Sequence, residues 1–176
     1  LTTADFFLSE SLNKLTNPIS TTINDLLGLD QNFNINTIDH VGSLKDGFMF
    51  AEAYERANQL TSIALSLTRL VNNLTTYDID SSQIFQIILD RMVAIYQSSQ
   101  NEINIESSAL LDALVDDVNL KFSLSLKNEI KTKLKNMYKA FIPLIQVKPN
   151  LAATHGLFYF ATNTFFNDLV LVASNN

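Results

Sequence analysis

The sequence has no cysteine and no tryptophan, and its 176 residues include only two histidines, four glycines and three prolines. Without cysteine, the chain can form no disulfide bond and no thiolate metal site, and it has no cysteine nucleophile. So few glycines and prolines disfavour a loop-rich β-sandwich or a low-complexity linker, and they leave no glycine-rich loop to bind phosphate. The favoured class is therefore α-helical.

The composition and charge are those of a folded, acidic protein with an uneven charge distribution. A hydrophobic fraction of 47% with 17% charged residues predicts one folded domain over residues 1–176. The net charge of −6 combines a net of −11 over residues 1–120 with a net of +5 over residues 121–176. Such a chain can attract its own kind or present a basic face to an anionic partner. The sequence pI of about 4.7 disfavours binding to nucleic acid.

The longest periodic segment runs from Ser43 to Thr76 and contains no proline. Its apolar side chains recur at intervals of three and four residues, which predicts a helix with one buried face. Ser43 and Asp46 have the spacing of a capping box at its start. The segment has almost no residue capable of chemistry, which favours a role in packing and assembly.

The remaining segments also favour helices, and no pair of strands is predicted. The fold class is therefore an all-α bundle of five to seven mostly antiparallel helices. Before the long helix, the predicted elements are a helix from Thr2 or Thr3 to Leu15, a helix from Pro18 to Gly28, and a connector from Asp30 to Gly42. The next predicted helix is capped by Asp80 and Gln83 and contains Ile84 to Tyr96. Three more helices are predicted after it: one from Ser107 or Ser108 through Val118, one from about Ser125 to Phe141, and one from Leu151 to Ala173.

The segment Asp78–Asp80 superficially resembles the start of a calcium-binding loop. Such a loop needs glycine at its sixth position and glutamate at its twelfth. This sequence has Gln83 and Leu89 there. Helix capping explains the same aspartates, so no metal site is expected.

A hydrolytic site is not expected either. Asp39, His40 and Ser43 lie close in sequence, but no glycine-framed serine is present. Asp116 and Asp117 are adjacent, so on a helix they point about 100° apart and cannot act as a facing pair. The sequence predicts no catalytic residue and no cofactor, and therefore a protein that is not an enzyme.

Four lysines form a candidate site for an anionic partner. Lys127, Lys131, Lys135 and Lys139 are spaced by four residues, so they form one stripe along a helix. Three interpretations remain open: a solvated face, pairing with the acidic first 120 residues of the same or another copy, or contact with an anionic membrane surface.

An aromatic cluster near the end of the chain is the second candidate site. Phe158, Tyr159, Phe160, Phe165 and Phe166 cover more than one face of the predicted helix. Core packing accounts for part of this cluster. The remainder could line a cavity for an apolar ligand or form a contact for self-association.

Four short strings stand out over roughly residues 20–110. They are Leu27-Gly28-Leu29-Asp30, Ala53-Tyr54 with Ala51 and Ala57, Leu74 followed by Asp78-Ile79-Asp80, and Ile103-Asn104-Ile105-Glu106-Ser107. In their order and approximate separations these strings resemble the helical repeat domains of spider silk proteins, the spidroins of aciniform or tubuliform type. The resemblance implies a soluble globular module that is stored at high concentration and self-associates.

The expected function is thus that of a secreted, non-enzymatic structural or self-assembly module. The sequon Asn73-Leu74-Thr75 would suit a secreted protein. The alternative is a small helical carrier of lipids or other apolar ligands, which would use the aromatic cluster. A third interpretation is an effector that contacts membranes through the lysine stripe.

Overall fold

The computed structural model describes residues 48–99, 103–145 and 151–176, with side chains described for residues 55–98, 103–145 and 162–176. Within these ranges the chain forms helices and no strand, so the all-α prediction is confirmed. The elements are α1 (Phe48–Leu74), α2 (Ser81–Ser99), α3 (Ser108–Lys121), α4 (Asn128–Phe141), a 3₁₀ turn (Ile142–Leu144) and α5 (Leu151–Ser174). The first two predicted helices, the connector and the capping box at Ser43 lie outside the described residues.

The five helices form a ring in which each packs against its neighbours in sequence. The helix α5 closes the ring by packing against α1, while the 3₁₀ turn contacts both α4 and α1. Short connections join α1 to α2 and α3 to α4. Such connections place consecutive helices antiparallel, so the end of α1 and the end of α3 lie at the same end of the bundle.

The predicted apolar faces of α1 and α4 form much of the core. The periodic apolar residues of α1 from Leu60 to Val71 are buried, and so are the main members of the α4 face. These residues are Leu60, Ile63, Ala64, Leu67, Leu70, Val71, Ile130, Leu134, Tyr138 and Phe141. Their helical spacing therefore located the buried face of each helix correctly.

The start of α2 shows how capping fixes a helix end. The Asp80 carboxylate accepts hydrogen bonds from the backbone N–H groups of Ser82 (2.9 Å) and Gln83 (3.3 Å). A further hydrogen bond, from the Ser82 hydroxyl, lowers the pKa of Asp80. Asp80 thus satisfies N–H groups that the first turn leaves without helical partners.

The start of α4 differs from the prediction by three residues. A helix was expected from about Ser125, but α4 begins at Asn128. The reason is that Ser123 and Ser125 have φ angles of 52° and 55°, in the left-handed region. A right-handed helix cannot include such residues, so Leu126 is buried from the segment that precedes the helix.

The end of α3 explains why Ser123 adopts this conformation. The N–H of Leu124 donates to the carbonyl of Asn119 (3.0 Å), and the N–H of Ser123 donates to that of Leu120 (3.3 Å). These are the two hydrogen bonds of a Schellman motif, in which the residue at the Ser123 position is usually glycine. Leu124, the residue after Ser123 in this motif, is buried.

We expect the substitution Ser123→Gly to stabilise the protein by about 0.5–1 kcal/mol. A residue with a Cβ atom costs about 1–2 kcal/mol in the left-handed region, and the greater unfolded-state entropy of glycine offsets part of this gain. Urea denaturation measures the effect. The matched control, Ser98→Gly on α2, should lower stability because glycine disfavours a helix; equal changes at both sites would contradict the explanation.

Candidate functional site

The lysine stripe packs against α3 of the same chain. The ammonium groups of Lys131 and Lys135 lie 3.6 Å and 2.5 Å from carboxylate oxygens of Asp116. That of Lys139 lies 3.1 Å from Asp112. The aspartates of α3 and the lysines of α4 both recur every four residues. The acidic stripe of α3 therefore lies along the basic stripe of α4. Three of the four lysines therefore have an anionic partner within the chain.

Lys127 is the exception in the stripe, because it precedes α4 and is exposed. Its backbone N–H donates to the side-chain oxygen of Asn176 at 2.7 Å, and the Asn176 amide donates to the Ser125 carbonyl at 3.1 Å. These bonds hold the α3–α4 connection against the end of α5. The Lys127 ammonium thus belongs to the end of the bundle rather than to the α3–α4 charge pairing.

The charge pairing continues from α3 to α2 through Arg91. Its Nε and Nη2 atoms donate to the two carboxylate oxygens of Asp117 at 2.7 Å and 2.5 Å. This bidentate bond raises the pKa of Arg91. Asp116 and Asp117 therefore serve opposite neighbours, as their angular separation on the helix predicts. Partly exposed pairs of this kind contribute about 0.2–1 kcal/mol each.

The aromatic cluster lies partly in the core. Phe165 is buried, and its ring stacks almost parallel on that of Phe141, with centroids 3.9 Å apart. The Tyr138 ring meets it edge-on at 5.3 Å. Phe166 is also buried, and the Arg69 guanidinium lies 5.9 Å from its ring centroid. Core packing therefore accounts for Phe165 and Phe166.

The other three members of the aromatic cluster, Phe158, Tyr159 and Phe160, have backbones in α5 but side chains outside the described residues. A small pocket elsewhere in the core is too narrow to admit a water molecule. Ligand sites are usually about 300–1,000 Å³. This pocket offers no site for an apolar ligand, and the carrier function stays a prediction. The residues lining it are Ile63, Leu67, Leu111, Leu114, Val115 and Tyr138.

A buried polar face on α1 was not anticipated from the sequence. Gln59, Ser62 and Ser66 are almost completely buried. The Gln59 amide nitrogen lies 2.9 Å from a Glu106 carboxylate oxygen and 3.4 Å from each of the carbonyl oxygens of Ile142 and Ile145. One side chain thus joins α1 to the α2–α3 connection and to the 3₁₀ turn. Gln59, Ser62 and Ser66 are spaced by three and four residues in the sequence. This spacing was the only indication in the sequence that they lie on one face of the helix.

Ser66 and Tyr138 form the second part of this polar face. Their hydroxyl oxygens are 2.7 Å apart, and the Ser66 hydroxyl lies 3.0 Å from the Ile63 carbonyl. Since serine has one hydroxyl proton, the arrangement that satisfies all three groups has Ser66 donating to Ile63 and accepting from Tyr138. Burial raises the pKa of Tyr138 above its ordinary value of 10.0.

We expect Tyr138 to make the folded state sensitive to alkaline pH. Its pKa is raised in the folded state, so its stabilising contribution is complete below about pH 10 and is lost as the pH rises beyond that value, by up to about 1.4 kcal/mol per pH unit. Denaturant unfolding between neutral pH and pH 11 measures this loss. In Tyr138→Phe the loss should be smaller, whereas Tyr77→Phe, at a half-exposed tyrosine, should follow the wild type. A loss in Tyr138→Phe equal to that of the wild type would contradict the assignment.

The described residues contain no cluster of three or more histidine or acidic side chains that could hold a metal ion. Within the same ranges no helix is both long and apolar enough to cross a bilayer. His40 and the His155 side chain lie outside the described residues.

The described part of the chain defines an all-α protein with helices packed up and down in a ring. Comparison with protein-family models, with curated proteins and with solved structures gave no match. The resemblance to spidroin repeat domains therefore stays a prediction from the sequence strings.

Proposed function

We propose that this protein is a secreted, non-enzymatic structural module that acts by self-association. The observation that carries the proposal is the exposure of large apolar side chains. Leu120 is 79% exposed, Leu144 is 74% exposed and Leu171 is 65% exposed. Removing apolar surface from water contributes about 25 cal/mol per Å², so these side chains favour contact with another surface. The resemblance to silk repeat domains supports the same function.

The charge distribution supports self-association through those exposed charges that are not already paired within the chain. The acidic residues Asp112, Asp116 and Asp117 on α3 are already paired with bases of α4 and α2. Charges that remain exposed elsewhere can steer one copy towards another. Such steering weakens as salt screens exposed charges, so ionic strength is the variable that tests it.

Sedimentation velocity on the purified chain, from micromolar to millimolar concentration and at low and high salt, tests the proposal. The expected result is reversible association that increases with concentration and weakens as the Debye length falls from about 30 Å at 0.01 M to about 3 Å at 1 M salt. A monomer under all of these conditions would overturn the proposed function.

A further inference from the structure

Two connections form an end surface on the bundle, made of residues 75–80 between α1 and α2 and residues 120–127 at the end of α3 and before α4. The two connections are in contact, because the ring centroids of Tyr77 and Phe122 are 6.3 Å apart. The end surface is therefore built from segments that are close in space although they are distant in sequence.

Side-chain amides fix both connections. Asn72 accepts a hydrogen bond from the Ile79 N–H (3.0 Å) and donates to the Ile79 carbonyl (2.9 Å). Asn119 accepts from the N–H of Leu126 at 2.9 Å. These bonds position the end surface before any partner binds, so little ordering entropy opposes a contact there.

The end surface has opposite charges on its two connections. Asp78 and Asp80 are exposed on the first connection, whereas Lys121 and Lys127 are exposed on the second. Across the described ranges, none of these four side chains forms an ion pair within 4.0 Å. In contrast, Lys131, Lys135 and Lys139 form ion pairs with aspartates of the same chain.

The same surface has exposed apolar side chains. Leu120, at the end of α3, is the most exposed large apolar residue described, and Tyr77 is 55% exposed. A protein–protein interface usually has apolar and aromatic side chains at its centre and polar or charged side chains at its rim, and the end surface offers both kinds.

We infer that the end surface binds the end surface of a second copy of this chain. A two-fold axis lying in the contact plane, between the two connections, places the acidic connection of each copy opposite the basic connection of the other. Asp78 and Asp80 of each copy then face Lys121 and Lys127 of the other copy, so this charge pairing occurs twice. Tyr77 and Leu120 lie within the contact. A two-fold contact of this kind is closed, so it yields a dimer. This inference rests on the proposed self-association and assigns it a surface.

Charge-reversal variants test the inference. The acidic variant, Asp78→Lys with Asp80→Asn, changes the charge of the first connection by about three units while asparagine keeps the α2 cap. The basic variant, Lys121→Glu with Lys127→Glu, reverses the second connection. The matched control, Asp90→Lys with Asp168→Asn, makes the same charge change as the acidic variant at exposed positions outside the two connections. Circular dichroism and denaturant unfolding verify that each variant is folded.

In sedimentation velocity, each charge variant alone should dimerise at least about tenfold more weakly than the wild type, because like charges then face each other across the contact. An equimolar mixture of the two variants should restore dimers, and the control should match the wild type. Leu120→Ser should also weaken the dimer, without affecting the fold, since Leu120 is already exposed.

The outcomes separate this inference from the proposed function. If the wild type associates and the acidic, basic and Leu120→Ser variants associate equally well, a different surface is used and this inference is overturned, while the proposed function stands. If both charge variants are weakened and their equimolar mixture does not restore dimers, the facing of acidic and basic connections is overturned. If the wild type is monomeric throughout, both the proposed function and this inference fail.

Discussion

Replacing Gln59 with glutamate should destabilise the folded protein by about 3 kcal/mol or more at neutral pH. Gln59 is completely buried, and its amide nitrogen is the donor to Glu106 and to two backbone carbonyls. In Gln59→Glu, this donor becomes an oxygen that faces three other oxygens. Arg56, whose Nη1 donates to the Gln59 amide oxygen at 3.4 Å, offsets only part of this cost.

The pH dependence distinguishes a buried carboxylate from a simple loss of packing. Burial beside Glu106 should raise the pKa of the introduced carboxyl group above its unfolded value of about 4.3. The excess cost should therefore be small below about pH 4, where the group is protonated in both states, and should grow as the pH rises.

The control for this prediction is Gln59→Met, which removes the donor without adding a charge. It should cost about 1–2 kcal/mol, with the same pH dependence as the wild type. Denaturant unfolding at pH 3.5 and pH 7 on the wild type and both variants measures the difference. A Gln59→Glu variant as stable as Gln59→Met at neutral pH would show that the amide hydrogen bonds are not made as described.

The substitution Phe165→Ala should cost about 3–5 kcal/mol, the range for removing a large aromatic side chain from a close-packed core. Phe165 packs between Phe141 and Tyr138, whose rings would lose their contacts and border a cavity. The residue is thus expected to act through stability. Unfolding in denaturant gives the free energy directly.

Leu171→Ala, on the same helix, is the matched control. Leu171 is 65% exposed, so its truncation should change stability by less than about 0.5 kcal/mol. If Phe165→Ala cost no more than Leu171→Ala, Phe165 would not be part of the core, and the ligand-cavity interpretation of the aromatic cluster would gain support.

The helices and their buried faces were predictable because periodicity is local information. On α1, the positions from Leu60 to Val71 already carry the pattern that is buried in the fold. The exact start of α4 was not predictable in the same way, since the left-handed conformations of Ser123 and Ser125 occur at residue types that do not demand them. Glycine at either position would have been a visible signal.

The candidate sites were predictable only in part. The stripe from Lys127 to Lys139 was visible from its spacing, but the sequence did not identify its partner. The aspartate that pairs with Lys135 is 19 residues away on another helix. The buried polar face of α1 was missed because serine and glutamine usually lie at the surface, and the partners that satisfy Gln59 and Ser66 in the core lie far away in sequence. The hydroxyl partner of Ser66 is 72 residues away.

The sequence alone determined the helical class, the apolar faces of the described helices and the positions of the lysine stripe, because each depends on the spacing of residues within one segment. The tertiary structure decided which charged side chains form ion pairs within the chain and which remain unpaired at the end surface. It also decided that Phe165 and Phe166 belong to the core and that Gln59 holds three segments together. Those outcomes depend on which helices become neighbours, and helix packing brings together residues that no local pattern relates.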